Sequence, residues 1–420
     1  MNITLYPPKN LRHAPSLPAS KSISNRALIV SALSGNDASK SAILLQNISD
    51  CDDTAVMLKA LNHPTPTIDI MAAGTAMRFL SAFYCVNPGK RTITGTERMQ
   101  HRPISVLVEA LRQLGAQIDY VGETGFPPLQ ITGTCKKGGI IELSGHISSQ
   151  YISALLMIGP VLEGGLTMKL TGEIVSRPYI DMTLHIMQQF GAVIQWIDSR
   201  TIKVEQGGYQ PKSYYIENDW SAASYWYEMV ALSSDKHAEV VLPGLFKESL
   251  QGDSAVKDFF CRLGVKTEHY TNEEGIPCVR LTKSGDIATS IECDLVNQPD
   301  LAQTLVTTCA LLEIPFRFTG LQSLKIKETD RIAALRTELR KLGYEIQEEQ
   351  DSILFWNGEH CKKEELPIID TYDDHRMALA FAPACLMCEA ICIRDAKVVS
   401  KSYPQYWQHL EDAAFSIRKQ

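Results

Sequence analysis

Six stretches of the chain read as helices that are apolar or small nearly all the way round, and each begins at a polar cluster. Lys21-Ser22-Ile23-Ser24-Asn25-Arg26 leads into ALIVSAL, Ala73-Gly74-Thr75-Ala76-Met77-Arg78 into FLSAFYCV, and Ser148-Ser149-Gln150 into YISALLMIGPVL. Asp219-Trp220-Ser221 leads into AASYWYEMVAL, Asn297-Gln298-Pro299-Asp300 into LAQTLVTTCALL, and Asp373-Asp374-His375-Arg376 into MALAFAPACLMC. A helix without a polar stripe has to be buried. Its first N–H groups lack partners and carry partial positive charge, so buried helices sharing one polar end would suit anions.

The pattern repeats. From Asn25 through Gly74, Gln150, Ser221, Leu301 and Arg376 the intervals are 49, 76, 71, 80 and 75 residues, the signature of stacked copies of one unit. Between the buried helices lie amphipathic ones that run into a strand, ALRQLGAQIDYV, IMQQFGAVIQWID, FFCRLGVKTEHY and ELRKLGYEIQEE, with Gly115, Gly191, Gly264 and Gly343 as helix stops. An earlier copy, MLKALNHPTPTI, has Asn62 where Gly is expected, and its interval to Gly115 is 53 residues. One repeat has therefore lost material between Leu61 and Ala72.

At 420 residues and 45% hydrophobic content, the chain has room for two full cores with three repeats each. The opening MNITLYPPKN lacks a basic segment followed by an apolar run, and no uncharged run approaches membrane-spanning length, so a soluble cytoplasmic protein is expected. Eleven Cys without paired spacing, several inside apolar helices, fit reduced core thiols. Cys385 and Cys388 form the one pair with metal-like spacing, but they lie inside a helix with no second Cys pair or nearby His, which favours packing over zinc.

Net charge is −7, against a nucleic-acid groove. Yet Lys21, Arg26, Arg78, Arg102, Lys327, Arg331, Arg376 and Lys401 all lie in or beside the polar clusters. Positive charge focused on an acidic protein suits a small polyanionic substrate, although each cation read alone fits a solvated surface equally well. In LPASKSISNRALIV, Lys21, Ser22 and Arg26 offer an ammonium, a hydroxyl and a guanidinium within two turns, a set suited to phosphate or carboxylate. Gly74 lets backbone approach a ligand closely. Pro103 fits the first position of the helix PISVLVEALRQLG, projecting Arg102 from its mouth. Of Ser148, Ser149 and Gln150 one hydroxyl serves as a helix cap, leaving two side chains over.

In Lys327-Glu328-Thr329-Asp330-Arg331, the cations four apart are expected on one helical face, with Glu328 held ionised beside them to take or give a proton. Asp370, Asp373, Asp374 and His375 sit at a helix end; a metal there is conceivable, but the basic neighbours point to an anion.

KSISNR, GTAMR, RMQHRPI, SSQY, SRPYID, NQPD, KETDR, DDHRMA and KSYPQYW, in that order over nearly the whole chain, closely resemble the 5-enolpyruvylshikimate-3-phosphate synthase family of enolpyruvyl transferases. The resemblance implies an α/β fold: a two-domain inside-out α/β barrel of repeated βα units, helices buried and sheets outside, three repeats per domain. Residues 18–217 would form one domain, 1–17 and 218–420 the other, with the active site in the cleft between them. The family transfers the enolpyruvyl group of phosphoenolpyruvate to the 5-hydroxyl of shikimate 3-phosphate and releases phosphate, in the shikimate pathway to chorismate and the aromatic amino acids.

By the same resemblance, shikimate 3-phosphate would be held by Lys21, Ser22, Arg26, Ser148, Ser149, Gln150, Ser176, Tyr179, Asp300, Ser323 and Lys327. Phosphoenolpyruvate would fall to Lys21, Gly74, Arg102, Gln150, Arg331, Arg376 and Lys401. Asp300 is implied as base for the hydroxyl, Glu328 as proton carrier at C3, and Lys21 as the acid that steadies the departing phosphate. A monomer is implied, with no metal, nucleotide or redox cofactor, no nucleic acid and no membrane partner.

The chain departs from the family pattern at Ala72 (usually Asn), Phe79 (usually Pro after the Arg) and Ser323 (usually Asn), which bears on substrate affinity and on sensitivity to the family's inhibitor glyphosate, for which Gly74 leaves room. The sister family acting on UDP-N-acetylglucosamine typically opens with Lys-Asn and carries a reactive Cys near the position of Arg102; neither occurs here. A relative modifying RNA ends would need a basic face and a nucleotide site. A non-catalytic binder of shikimate 3-phosphate would be expected to lose Lys21, Asp300 or Glu328, and all three are present.

Overall fold

A computed structural model describes residues 1–35 and 44–419. Contacts divide the chain into two compact units, Ala19–Glu217 and a second made of Met1–Pro18 with Asn218–Gln420.

In the Ala19–Glu217 unit, the helices Lys21–Leu33, Gly74–Val86 and Ser149–Ile158 touch one another at the centre. The helices Asp52–Asn62, Ser105–Gln113 and Arg177–Gln189 each pack against two of these, so apolar surface is covered all round the central three. Each full repeat runs strand, buried helix, strand, second helix, then a hairpin. Lys137–Ser144 thus pairs parallel with Glu163–Thr171, which pairs antiparallel with Thr201–Val204 and through it with Ile194–Trp196. Thr67–Asp69, Lys90–Thr94, Leu129–Thr132 and Gln117–Tyr120 form the same four-stranded order. Parallel strands need a crossover of helix length, which the buried helices supply.

The shortened repeat has a structural counterpart. Among the described residues, Leu45–Gln46 pairs in parallel only with Tyr214–Tyr215, a two-stranded sheet where the other repeats have four strands. After the Asp52–Asn62 helix the chain passes through residues 63–66 straight into Thr67–Asp69, a strand of the next sheet. The missing material is the hairpin, so no Gly is needed at 62 to reverse the chain into it.

The other unit repeats the plan three times in full. Its central helices are Trp220–Leu232, Ala302–Leu311 and His375–Phe381, the last continued by the 3-10 segment Ala382–Met387 that holds Cys385 and Cys388. Trp226, Tyr227 and Met229 are wholly buried, as are all ten residues of Ala302–Leu311. Each such large apolar side chain contributes roughly 1.5–3 kcal/mol of transfer free energy. The first residues of the chain belong here because they complete two sheets. Arg12–His13 pairs parallel with Glu239–Pro243, and Ile3–Tyr6 lies between Ile391–Ile393 and Ser416–Lys419.

Gly115, Gly191, Gly264 and Gly343 all take left-handed φ, between 82° and 100°, just past helix ends, as expected of stops. Pro103 is not the first helical residue. The helix starts at Ser105 with Ile104 as its N-cap, so Arg102 and Pro103 lie in the turn after the short Glu97–Gln100 helix. Among the described residues no helix is long and apolar enough to cross a membrane.

Candidate active site

The densest ionic cluster lies where the central helices of the Asn218–Gln420 portion begin, and it is organised by Arg331. The Arg331 side chain is 1% exposed and donates through Nε to Asp374 Oδ2 at 2.6 Å and through Nη2 to Asp374 Oδ1 at 3.2 Å. It also reaches Glu328 Oε2 at 3.0 Å and Asp300 Oδ1 at 3.3 Å. Burial alone would lower the pKa of Arg331, but Asp374, Glu328 and Asp300 outweigh it and hold the guanidinium above its ordinary value. Asp374 is fully buried and also caps the His375–Phe381 helix, accepting from the Arg376 backbone N–H at 2.9 Å.

Lys401 donates to Glu328 Oε1 at 2.7 Å, so this carboxylate is bracketed by two cations. Asp300, in the 3-10 turn Pro299–Leu301 ahead of a central helix, accepts from Arg376 Nη2 at 2.8 Å and has Lys327 Nζ 3.7 Å away. Burial holds Lys327 below the ordinary ammonium range, against the raising pull of Asp300. Lys327 and Arg331 do not share a helical face. The helix begins at Arg331, capped by Asp330, and Lys327 is the C-cap of the 3-10 turn Gln322–Ile326 before it. The two meet at Asp300 because that turn folds back, not through helical periodicity. Ser323, in the same turn, has a buried hydroxyl without a partner.

Two further side chains complete this cluster. Tyr225, one turn into the Trp220–Leu232 helix and fully buried, accepts from Arg376 Nη1 at 3.3 Å. Burial raises its pKa to about 12, against the Arg376 charge. Asp253 is 2% exposed and accepts from the Ser221 hydroxyl. Burial first, then the Asp300 charge, push Asp253 up to about 7, although Arg376 pulls the other way.

The Ala19–Glu217 unit carries a second cluster. Arg26 is 2% exposed, and its hydrogen-bond partners are all neutral: Nε to Thr183 Oγ1 at 2.7 Å, Nη1 to the Ser22 carbonyl at 2.9 Å and Nη2 to Ser153 Oγ at 3.3 Å. Its guanidinium lies 5.3 Å from the Phe79 ring centre and 5.9 Å from that of Tyr179. Burial lowers its pKa to about 10. A buried cation among neutral acceptors and rings is costly, and an anion beside it relieves that cost.

Lys21 opens its helix after the Ser20 cap and donates to the buried Asp53 at 3.2 Å. Arg78 Nη1 bonds both the Gly74 carbonyl and Gln150 Oε1 at 2.9 Å, and its guanidinium lies 5.0 Å from the Tyr151 ring centre. Tyr151 in turn donates to the Pro103 carbonyl at 2.6 Å. A Cβ on Gly74 would stand 2.8 Å from Nη1 of both Arg78 and Arg102, so these three residues crowd one spot. Ser148 caps the next central helix, Ser149 is buried beside it, and Ser176 precedes the Arg177–Gln189 helix with a left-handed φ of 55°.

Each unit thus gathers its own share of the expected residues: Asp300, Lys327, Glu328, Arg331, Arg376 and Lys401 in one, and two groups in the other, around Arg26 and around Gly74. Asp53, Asp253 and Tyr225 were not foreseen. Asp253 follows a Gln-Gly pair at the entry to an amphipathic helix, a weak signal, whereas Tyr225 sits one helical turn after Ser221, which marks it as facing the same end. Among the described residues, no three His, Cys, Asp or Glu side chains converge as metal ligands would.

Comparison with known proteins identifies the family. The family model described as EPSP synthase (3-phosphoshikimate 1-carboxyvinyltransferase) matches residues 62–410. A 3-phosphoshikimate 1-carboxyvinyltransferase of Bacteroides fragilis (strain YCH46) is 56% identical over 418 residues, spanning 100% of this chain and 99% of that protein. One of Vibrio cholerae serotype O1 (strain M66-2) is 37% identical, spanning 97% and 98%. Among solved structures, an EPSP synthase from Acinetobacter baumannii superposes with a TM-score of 0.77 at 21% identity, covering both chains fully. The enolpyruvyl transferase NikO from Streptomyces tendae gives 0.70 at 14%, covering 99% and 98%. The two structures establish the shared fold, and on the sequence matches the chain belongs to the EPSP synthase (3-phosphoshikimate 1-carboxyvinyltransferase) family.

Proposed function

We propose that this protein transfers the enolpyruvyl group of phosphoenolpyruvate to the 5-hydroxyl of shikimate 3-phosphate, releasing phosphate. The observation that carries the reading is that one buried guanidinium, Arg331, touches both Asp300 and Glu328. The reaction needs two proton-handling groups, one for the attacking hydroxyl and one for C3 of the enol, and each must be positioned before substrate arrives.

In the proposed course, Asp300 accepts the 5-hydroxyl proton as oxygen attacks C2, while C3 takes a proton delivered through Glu328. The tetrahedral adduct then expels phosphate, helped by Lys21, and C3 returns its proton. The hydroxyl proton leaves on phosphate, so protons balance. Ser22, Arg26, Ser148, Ser149, Ser176, Tyr179, Asp300, Ser323 and Lys327 take shikimate 3-phosphate, with Lys21 and Gln150 shared by the two ligands. Gly74, Arg102, Arg331, Arg376 and Lys401 take phosphoenolpyruvate. Two phosphates and two carboxylates repel one another unless cations pair with them, which accounts for so many basic groups at helix starts.

The test is phosphate release on mixing both substrates with the protein. Release requiring both substrates, and lost in Glu328→Gln and in Asp300→Asn while binding is kept, supports the reading. Near-normal turnover in both variants overturns the proton assignments, and no release from the wild type overturns the activity.

A further inference from the structure

Asp253 is a buried carboxyl that the proposed reaction does not use. It lies on the one-turn segment Gly252–Ala255, and one oxygen accepts from Ser221 Oγ while the other, also buried, has no partner. The segment is locked to the start of the Trp220–Leu232 helix by Gln251, whose Nε2 donates to the Asn218 carbonyl at 2.8 Å and whose Oε1 accepts from Trp220 N–H at 3.1 Å. A side chain placed this firmly cannot turn to water when its charge changes. Geometry ties it to Arg376: Ser221, which bonds Asp253, and Tyr225, which bonds Arg376, stand one turn apart on the Trp220–Leu232 helix. The strongest charges acting on it are Asp300, in the Pro299–Leu301 turn, Arg376, at the start of the His375–Phe381 helix, and Asp219, which caps the Trp220–Leu232 helix, while the Val256–Cys261 helix packed on the segment carries Lys257 and Asp258.

Resting on the function proposed above, we propose that Asp253 is a positioning residue that sets the strength of the phosphoenolpyruvate subsite: uncharged, it leaves the Arg376 guanidinium to the substrate; ionised, it draws on that guanidinium and repels the incoming anion. The ordinary carboxyl range lies near pH 4, but burial and Asp300 bring the titration of Asp253 close to neutrality. A bound anion adds negative charge beside Asp253 and favours its protonated form, so substrate binding takes up a proton. Below neutrality the proton is already present and binding is at full strength. Above it the proton must be acquired first, and affinity falls as pH rises.

The experiment is KM and kcat for phosphoenolpyruvate at saturating shikimate 3-phosphate, from pH 5.5 to 9, for the wild type and Asp253→Asn. The substrate's own ionisation cancels in the ratio of the two KM values. That ratio, wild type over variant, is expected to be flat below about pH 6 and to rise about tenfold by about pH 8.5. A ratio constant across pH, with or without a lower kcat, means that Asp253 is only structural and overturns the proposal. Should Asp253→Asn fail to fold, Ser221→Ala serves instead. It removes a donor that favours the charged carboxylate and should move the onset of weakening about one unit higher, whereas an unmoved onset overturns the proposal. A wild type that releases no phosphate at any pH overturns the functional reading on which this rests, an outcome distinct from a flat ratio.

Discussion

Arg331 and Asp374, 43 residues apart in sequence, form a buried pair of two hydrogen bonds, 2.6 and 3.2 Å, with neither side chain more than 1% exposed. The pair fixes the Arg331–Lys341 helix to the start of the His375–Phe381 helix. Removing one member leaves the other charged and buried. Asp374→Ala should therefore cost about 3–5 kcal/mol in chemical denaturation, and Asp374→Asn less, because the amide oxygen can still cap the Arg376 N–H. Equal losses in the two variants would show that the cap contributes nothing.

Arg376 bridges Asp300 and Tyr225 with separate nitrogens. An ammonium is a point charge and cannot hold both while presenting parallel donors to an anion. Arg376→Lys should raise KM for phosphoenolpyruvate about ten- to a hundredfold, the equivalent of roughly 1.5–3 kcal/mol for a charge-assisted hydrogen bond. Its effect on the KM for shikimate 3-phosphate should be smaller, and steady-state kinetics with each substrate varied in turn separates the two.

Gly74 has φ in the ordinary helical region, so Ala there is not strained by backbone. What it meets is the ends of two flexible cations, Arg78 and Arg102. Gly74→Ala should fold with a melting temperature close to wild type, since these guanidinia can swing aside. Phosphoenolpyruvate KM should nonetheless rise by about tenfold, the equivalent of roughly 1.4 kcal/mol. A large loss of stability would mean that neither arginine can move.

Glu228 is wholly buried in the Trp220–Leu232 helix, and burial drives its pKa well above the usual carboxyl value, against a smaller opposing pull from Thr308. The folded state therefore holds a proton that the unfolded chain releases. Stability from this group is intact below the unfolded pKa, near 4.5, and declines as pH rises toward the folded value. Glu228→Gln removes the titration. The stability difference, variant minus wild type, should grow with pH above about 5 by at most about 1.4 kcal/mol per unit. Parallel stability curves would contradict this.

Much of the architecture was legible because the decisive pattern is local. An apolar run such as AASYWYEMVAL allows no solvent-facing side, and glycines at helix ends mark where each amphipathic helix turns into strand. The lost hairpin after Asn62 was visible as a short interval for the same reason. The site was legible as a set of residues but not as pairings. Arg331 with Asp374, Lys401 with Glu328 and Arg376 with Asp300 join positions 43, 73 and 76 residues apart, and no periodicity encodes such distances. Lys327 was misread for a related reason: spacing of four suggests a shared helical face only if the helix has begun, and here Asp330 caps it one residue before Arg331. Phe79 stands where the family usually has Pro, and only the fold shows its ring lying against the Arg26 guanidinium.

The central claim, that the protein joins two anionic substrates rather than merely binding them, is tested most directly by phosphorus nuclear magnetic resonance of a mixture of shikimate 3-phosphate, phosphoenolpyruvate and catalytic protein. The account predicts that both substrate resonances fall together while one new phosphate ester and inorganic phosphate grow in equal amounts. Loss of the phosphoenolpyruvate signal with shikimate 3-phosphate unchanged, or two unchanged spectra despite saturable binding, would contradict it.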